Sequence, residues 1–394
     1  MRSSARRLAA AVRRRARDAA PSLAAFVAGL LAAVLLWNGL FGLRGDTDEE
    51  FDIAHLVRWE FGALANKWLF AAGEPLRDDP PAEEAIAAWF ALGDRSGEDG
   101  RRLENVVESA IEGRIDAAIR EHGISFPLPL PGALEVWPPL DIELTPSPHV
   151  LVISPRTEIR RQDERILQFD LGIEELYRIE REAEERDDSI AAFVAPTGGI
   201  AFYPAIVDAR SYRGAVGTAA HEWVHHYLAF YPLGRAYFAG GDAQTINETV
   251  ASLAGWELRD AVLERFGDPT PPASFAPAPA SGPDIDRSAV LRELRLEVDA
   301  LLEQGRVEEA ERRMEEVRLM LADHGISIRR INQAYFAWYG TYAARADAVD
   351  PLGDQLRELR ARAGSLARFL ELVRGITSRA EVEALLAGTE ATPG

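Results

Sequence analysis

Residues 212–231, YRGAVGTAAHEWVHHYLAFY, constrain this chain more than any other stretch. They read as one helix stopping at Pro232. Small and apolar residues (Gly217, Ala219, Ala220, Trp223, Val224, Leu228, Phe230) flank the motif His221-Glu222-Trp223-Val224-His225. Residues four apart share a helix face, so His221 and His225 can aim imidazole nitrogens at one metal ion. Glu222 stands beside that face, where a carboxylate can take a proton from water as the water attacks a carbonyl. The motif is therefore expected on a largely buried helix, as such chemistry needs. His226 points about 100° away from His225 and reads as packing or support, not as a ligand.

A catalytic zinc takes three protein ligands and keeps one position open. The next helical segment, about residues 245–265, offers Glu248 within INETVAS, and Asp242 in GGDAQ is the alternative. HExxH followed about twenty residues later by NExxA resembles the gluzincin class of zinc metallopeptidases. That resemblance implies His221, His225 and Glu248 as ligands of Zn2+, Glu222 as general base, and a peptide or protein substrate. The metzincin extension needs a glycine and a histidine where this chain has Leu228 and Tyr231. Thermolysin-like enzymes often carry an aspartate one turn after the ligand glutamate. This chain has Ser252 there, which can accept a hydrogen bond but carries no charge. The layout also resembles, more loosely, poorly characterised membrane-anchored bacterial zinc peptidases.

Cysteine is absent, so disulfides and thiolate zinc sites are excluded and any metal must use His, Asp or Glu. Near the start, seven arginines against Asp18 give the first 43 residues a net +6, which leaves −25 for the rest of this 394-residue chain. An acidic body without a basic stripe argues against nucleic acid as a partner. Residues 23–43 are apolar except for Asn38 and would span about 31 Å as a helix, the depth of a bilayer core. They read as a single transmembrane anchor, with the arginines inside and the acidic flank (Asp46, Asp48, Glu49, Glu50) outside. A cleaved signal peptide shares the basic start, but this run is longer than a signal core and no small-residue cleavage site follows it. The expected location is the cytoplasmic membrane, with the catalytic domain extracytoplasmic.

Helical spacing marks residues 50–72, 82–93 and 97–122, and prolines make 126–139 an extended connector. Short apolar or alternating runs at 140–144, 149–154, 190–194 and 200–205 read as strands, with a charged helix at 165–185 between the second and third. In gluzincins the edge strand of such a sheet pairs with the extended substrate. By that resemblance residues 198–204 supply the edge, with Gly199, Ile200, Ala201, Phe202 and Tyr203 contacting substrate and Gly198-Gly199 turning a hairpin. A proline-rich loop at 267–283 precedes a helical hairpin at 288–325. Gluzincins also need a donor to the developing oxyanion, commonly a Tyr or His downstream of the third ligand. Tyr335 and Tyr342, in RINQAYFAWYGTYA, are the candidates.

The expected fold class is thus α+β, mainly α: a zincin-like domain with a small sheet before the metal helix, plus one N-terminal transmembrane helix. Its parts are a basic tail (1–22), the anchor (23–43) and one domain (44–394). Within the domain come helices (50–139), sheet and metal helices (140–266), the proline-rich loop (267–286) and a helical end (287–394). A zinc-binding scaffold without turnover, holding a protein partner, is the rival expectation. The sequence leaves the oligomeric state open.

Overall fold

The computed structural model describes residue 67 and residues 79–124, 136–169, 171–270 and 285–388. In chain order the described elements are α1 (Ala82–Ala91), α2 (Glu98–Glu121), β1 (Ile142–Glu143), β2 (His149–Pro155), β3 (Asp163–Leu167), α3 (Ile173–Arg186), β4 (Ile190–Pro196), β5 (Gly199–Ile200) and β6 (Ala205–Val207). They are followed by α4 (Tyr212–Leu228), the one-turn α5 (Pro232–Arg235), a 3-10 turn (Tyr237–Ala239) and α6 (Gly241–Phe266). Beyond the proline-rich loop come α7 (Arg287–Glu303), α8 (Val307–Asp323), α9 (Gln333–Gly340), α10 (Leu352–Arg362), α11 (Leu366–Val373) and α12 (Arg379–Gly388).

The strands form two three-stranded sheets where one was expected. The first, in order β3-β2-β4, is antiparallel throughout. Its one face (Val150, Val152, Ala191, Phe193, Ala195) packs with α7, α8 and α9, and the other (Leu151, Ile153, Ala192, Val194) with Ile179 of α3. Covered on both sides, β2 and β4 are nearly continuous apolar runs, which is what made them legible. β3 was expected inside a helix at 165–185. Its sequence DERIL is mostly polar because the strand lies at the sheet edge, and the helix begins only after Gly172, whose N–H donates to Glu175.

The second sheet, β1-β6-β5, is smaller; β6 runs parallel to β1 and antiparallel to β5. The strand expected at 200–205 is two pieces, and Gly198-Gly199 does not close a hairpin with the preceding strand. At a left-handed φ of +77°, Gly198 carries the chain from one sheet into the other while its N–H donates to Ser147 Oγ. β5 does lie at a sheet edge.

The fold class is corrected in one further respect. Among the described residues no helix is long and apolar enough to cross a membrane, and the anchor expected at 23–43 lies outside them. The observed fold is a mainly helical α+β domain.

Its main core is built on α4 and α6. Ala215, Val216, Ala219, Ala220, Trp223 and Val224 of α4 meet Ile246, Val250, Ala251, Ala254 and Leu258 of α6, with Ile111, Ile115 and Ile119 of α2 behind them. Ser211 caps α4 by accepting from Gly214 N at 3.1 Å. The helices run antiparallel, and small residues bring them close. A Cβ on Gly255 would lie 2.9 Å from His221 N and 3.0 Å from its Cα, so only glycine permits this separation. Below the second sheet sits Lys67, the only lysine in the chain. Its ammonium donates to Glu112 (2.9 Å), to Asp141 (2.6 Å) and to the Ile142 carbonyl, with Glu108 at 3.6 Å.

Candidate metal centre

Histidines 221 and 225 project from α4 and Glu248 from α6, and the three converge. His225 Nε2 lies 3.0 Å from His221 Nε2, and Glu248 Oε2 lies 3.3 and 3.5 Å from those two nitrogens. The circle through the three atoms has a radius of about 1.9 Å, just under the roughly 2.0–2.2 Å of zinc–nitrogen and zinc–oxygen bonds. Glu248 Oε2 is buried, and its nearest polar neighbours are the two imidazole nitrogens themselves, both beyond a short hydrogen bond. A buried carboxylate oxygen is costly unless something cationic meets it. The donor set, two imidazoles and one carboxylate without cysteine, suits zinc. Asp242, the alternative ligand, faces elsewhere and pairs with Arg379 at 2.8 Å.

The surroundings fix how these groups present themselves. His225 Nδ1 donates to Asn247 Oδ1 at 2.7 Å, which turns Nε2 toward Glu248 and His221. Burial pulls His225 down, but Glu248 beside it lifts it to about 9. Burial pushes Glu248 up, yet the imidazoles hold it well below the usual carboxylate range, so the pair is ionised together. Tyr237 Oη donates to the other carboxylate oxygen, Glu248 Oε1, at 2.5 Å. Ser252 is largely buried at the cleft wall and makes no hydrogen bond to either histidine.

Glu222 lies on the cleft wall beside the ligands. It is 6% exposed and makes no hydrogen bond among the described residues, and burial raises its carboxyl above the ordinary value. β5 passes so close that a Cβ on Gly199 would sit 2.5 Å from Glu222 Oε1 and 2.6 Å from Thr218 Cγ2. Gly199→Ala is therefore expected to push the Glu222 carboxylate aside while leaving the three ligands in place. Zinc uptake should hold while any hydrolysis that depends on Glu222 falls about a hundredfold, the scale of an ångström's misplacement. Unchanged turnover would show that the strand does not set the position of Glu222.

The cleft around these groups encloses about 1010 Å³. Gly199, Ile200, Ala201 and Phe202 line it, whereas Tyr203 turns away to pack on His226 (ring centroids 5.7 Å apart). His226 is buried and donates from Nε2 to the Phe202 carbonyl at 2.7 Å; burial lowers it to about 4, keeping it neutral. It thus pins the segment that forms the cleft edge. Of the two candidate tyrosines only Tyr342 reaches the cleft, its ring 6.4 Å from that of His221. Tyr335 is core: it lies edge-on to Phe193 with its hydroxyl unpaired, away from the ligands.

Three neighbours of the centre were not singled out from the sequence. Asn247 precedes Glu248 directly, and a helical step between them was signal enough to find it. Tyr237 and Arg161 have no such signal, because a 3-10 turn and the β2–β3 connection bring them in from afar. Arg161 is held by Glu164 (2.7 Å), Thr341 (2.7 Å) and the carbonyls of Ala337 and Trp338. Comparison with protein-family models, curated proteins and solved structures found no match for this chain.

Proposed function

We propose that this chain is a zinc-dependent peptidase, similar in its site to gluzincins. The convergence of His221, His225 and the buried Glu248 Oε2, with Glu222 beside them, is the observation that carries the reading. His221 Nε2, His225 Nε2 and Glu248 would hold the ion. A bound zinc supplies Lewis-acid polarisation of a carbonyl and lowers the pKa of water.

The chain's own groups do the rest. Glu222, facing the cleft and with its carboxyl raised above the ordinary value by burial, takes the proton of the attacking water and returns it to the departing amine. Asn247 and Tyr237 hold His225 and Glu248 in register for their ligand roles. Tyr342, whose hydroxyl makes no hydrogen bond among the described residues, is the donor available to the developing oxyanion. β5, at the edge of its sheet, offers Gly199 to an extended peptide, the Ile200 carbonyl being taken by Phe202 N. A scaffold that merely stored zinc would have no use for a buried, unbonded carboxylate at Glu222.

The test is metal content of the full chain and of His221→Ala after exchange into zinc, together with hydrolysis of a mixed peptide library. About one zinc per wild-type chain, its loss in the variant, and cleavage that follows the metal are expected. A chain that binds no zinc would end the reading; zinc without cleavage would favour the scaffold.

A further inference from the structure

The cleft continues past the ligands toward the start of α4, where glycines form its floor. Gly217 lies one turn before His221, Gly214 precedes it on the same face, and both line the cleft. In the antiparallel packing Gly217 faces Arg259 of α6. The Arg259 Cδ lies 3.2 Å, and its Nη1 4.0 Å, from the point a Cβ on Gly217 would occupy. Trp256, 36% exposed, lines the same stretch from α6.

Four arginines line the cleft, and their partners set them apart. Arg161 is held by Glu164, Thr341 and two carbonyls, and Arg345 is bidentate to Asp347 at 2.8 Å. Arg213 and Arg259, by contrast, share a single acid. Asp260 accepts from Arg213 Nη2 at 2.9 Å, and from Arg259 Nε and Nη2 at 2.9 and 3.1 Å. Here two guanidinium groups share one carboxylate, and Arg259, whose stem packs across Gly217, keeps Nη1 without a hydrogen-bond partner among the described residues. The rest of the chain is strongly acidic, so this excess of cations is not inherited from its surroundings.

We infer that the corner formed by Gly217, Trp256, Arg213 and Arg259 is a subsite for a substrate carboxylate. Four residues of helix advance about 6 Å and an extended peptide about 3.3 Å per residue. The carboxylate thus belongs to a residue within two of the scissile bond, as an Asp or Glu side chain or as the peptide's own C-terminus. Guanidinium and carboxylate make the stronger, charge-assisted kind of hydrogen bond. The inference rests on the peptidase reading for its reaction but not for its binding.

Matched peptide pools carrying Glu or Gln, each with a free or an amidated C-terminus, test it on the zinc-loaded full chain. The wild type should favour one carboxylate-bearing pool by about tenfold or more in kcat/KM, and the two comparisons tell side chain from terminus. Arg259→Gln should bring the pools within about twofold of one another, and Arg259→Lys should keep part of the preference, with zinc content and melting temperature unchanged in both. No preference in the wild type, or a preference that survives Arg259→Gln, would overturn the subsite and leave the peptidase standing. If no pool is cleaved, retention of the same peptides on Glu222→Gln protein decides. Carboxylate peptides held by it but not by the Glu222→Gln/Arg259→Gln double variant would keep the subsite while the peptidase reading falls; equal retention would overturn the subsite.

Discussion

Glu222→Gln is expected to keep about one zinc per chain and to lose peptide hydrolysis by about a thousandfold, within the range that a positioned general base contributes. The glutamine has the same shape and can still accept a hydrogen bond, but it cannot carry a proton from the water to the leaving amine. Nothing else depends on the carboxylate, since it makes no hydrogen bond among the described residues and touches the ligands only through charge. Thermal stability should therefore be unchanged or slightly higher, because a buried acid has been replaced by a neutral amide. Metal analysis, melting temperature and kcat/KM, measured on the same preparation, separate these effects. A Gln variant that cleaves at the wild-type rate would remove Glu222 from the mechanism, and one that loses zinc would make it a ligand.

The second large effect concerns stability. Lys67→Met is expected to cost about 3 kcal/mol, because the ammonium sits among Glu108, Glu112 and Asp141 and its removal leaves one buried and two half-buried carboxylates without their cation. Methionine approximates the stem's volume, so the loss is mainly electrostatic. The deficit should also depend on pH. Burial raises Glu108 to about 8, and Glu104 and Glu143 to about 7, despite Lys67 nearby. These carboxyls hold protons in the folded chain that the unfolded chain releases above about 4.5. Their contribution is thus present below that value and lost as pH rises through 7 to 8. In Lys67→Met, which raises these carboxyls further, a proton stands in for the ammonium at little cost at pH 5.5 and at increasing cost toward pH 8.5. The gap in melting temperature between the two chains should widen as pH rises, and taking the difference cancels the titration of the metal site. A gap that is constant or narrows with pH would show that the cluster is held by something other than Lys67.

The centre of this fold was legible because its signals are local. Four-residue spacing fixes His221 and His225 on one face whatever the tertiary structure, and Glu248 lies on the next helix of the same pair. β2 and β4 announced themselves by apolar runs that only a doubly covered strand shows. Residues whose role is set by distant packing did not. Tyr335 and Tyr342 look alike in sequence, yet one rotates into the core against Phe193 and the other into the cleft. β3 hid in a charged stretch because an edge strand needs few apolar residues. The passage between the two sheets runs through the positive φ of Gly198, which no apolar pattern announces.

The isolation of Lys67 has a practical side. Every other basic side chain apart from histidine is an arginine, so the chain offers amine-directed reagents one side-chain target. That target is 15% exposed, and its ammonium donates to two carboxylates and a carbonyl. Acylation needs a free, deprotonated amine, and the surrounding acids hold Lys67 well above the ordinary lysine value. The folded protein should resist such labelling at this position, and the rate at which Lys67 becomes modified would count how often this part of the molecule opens.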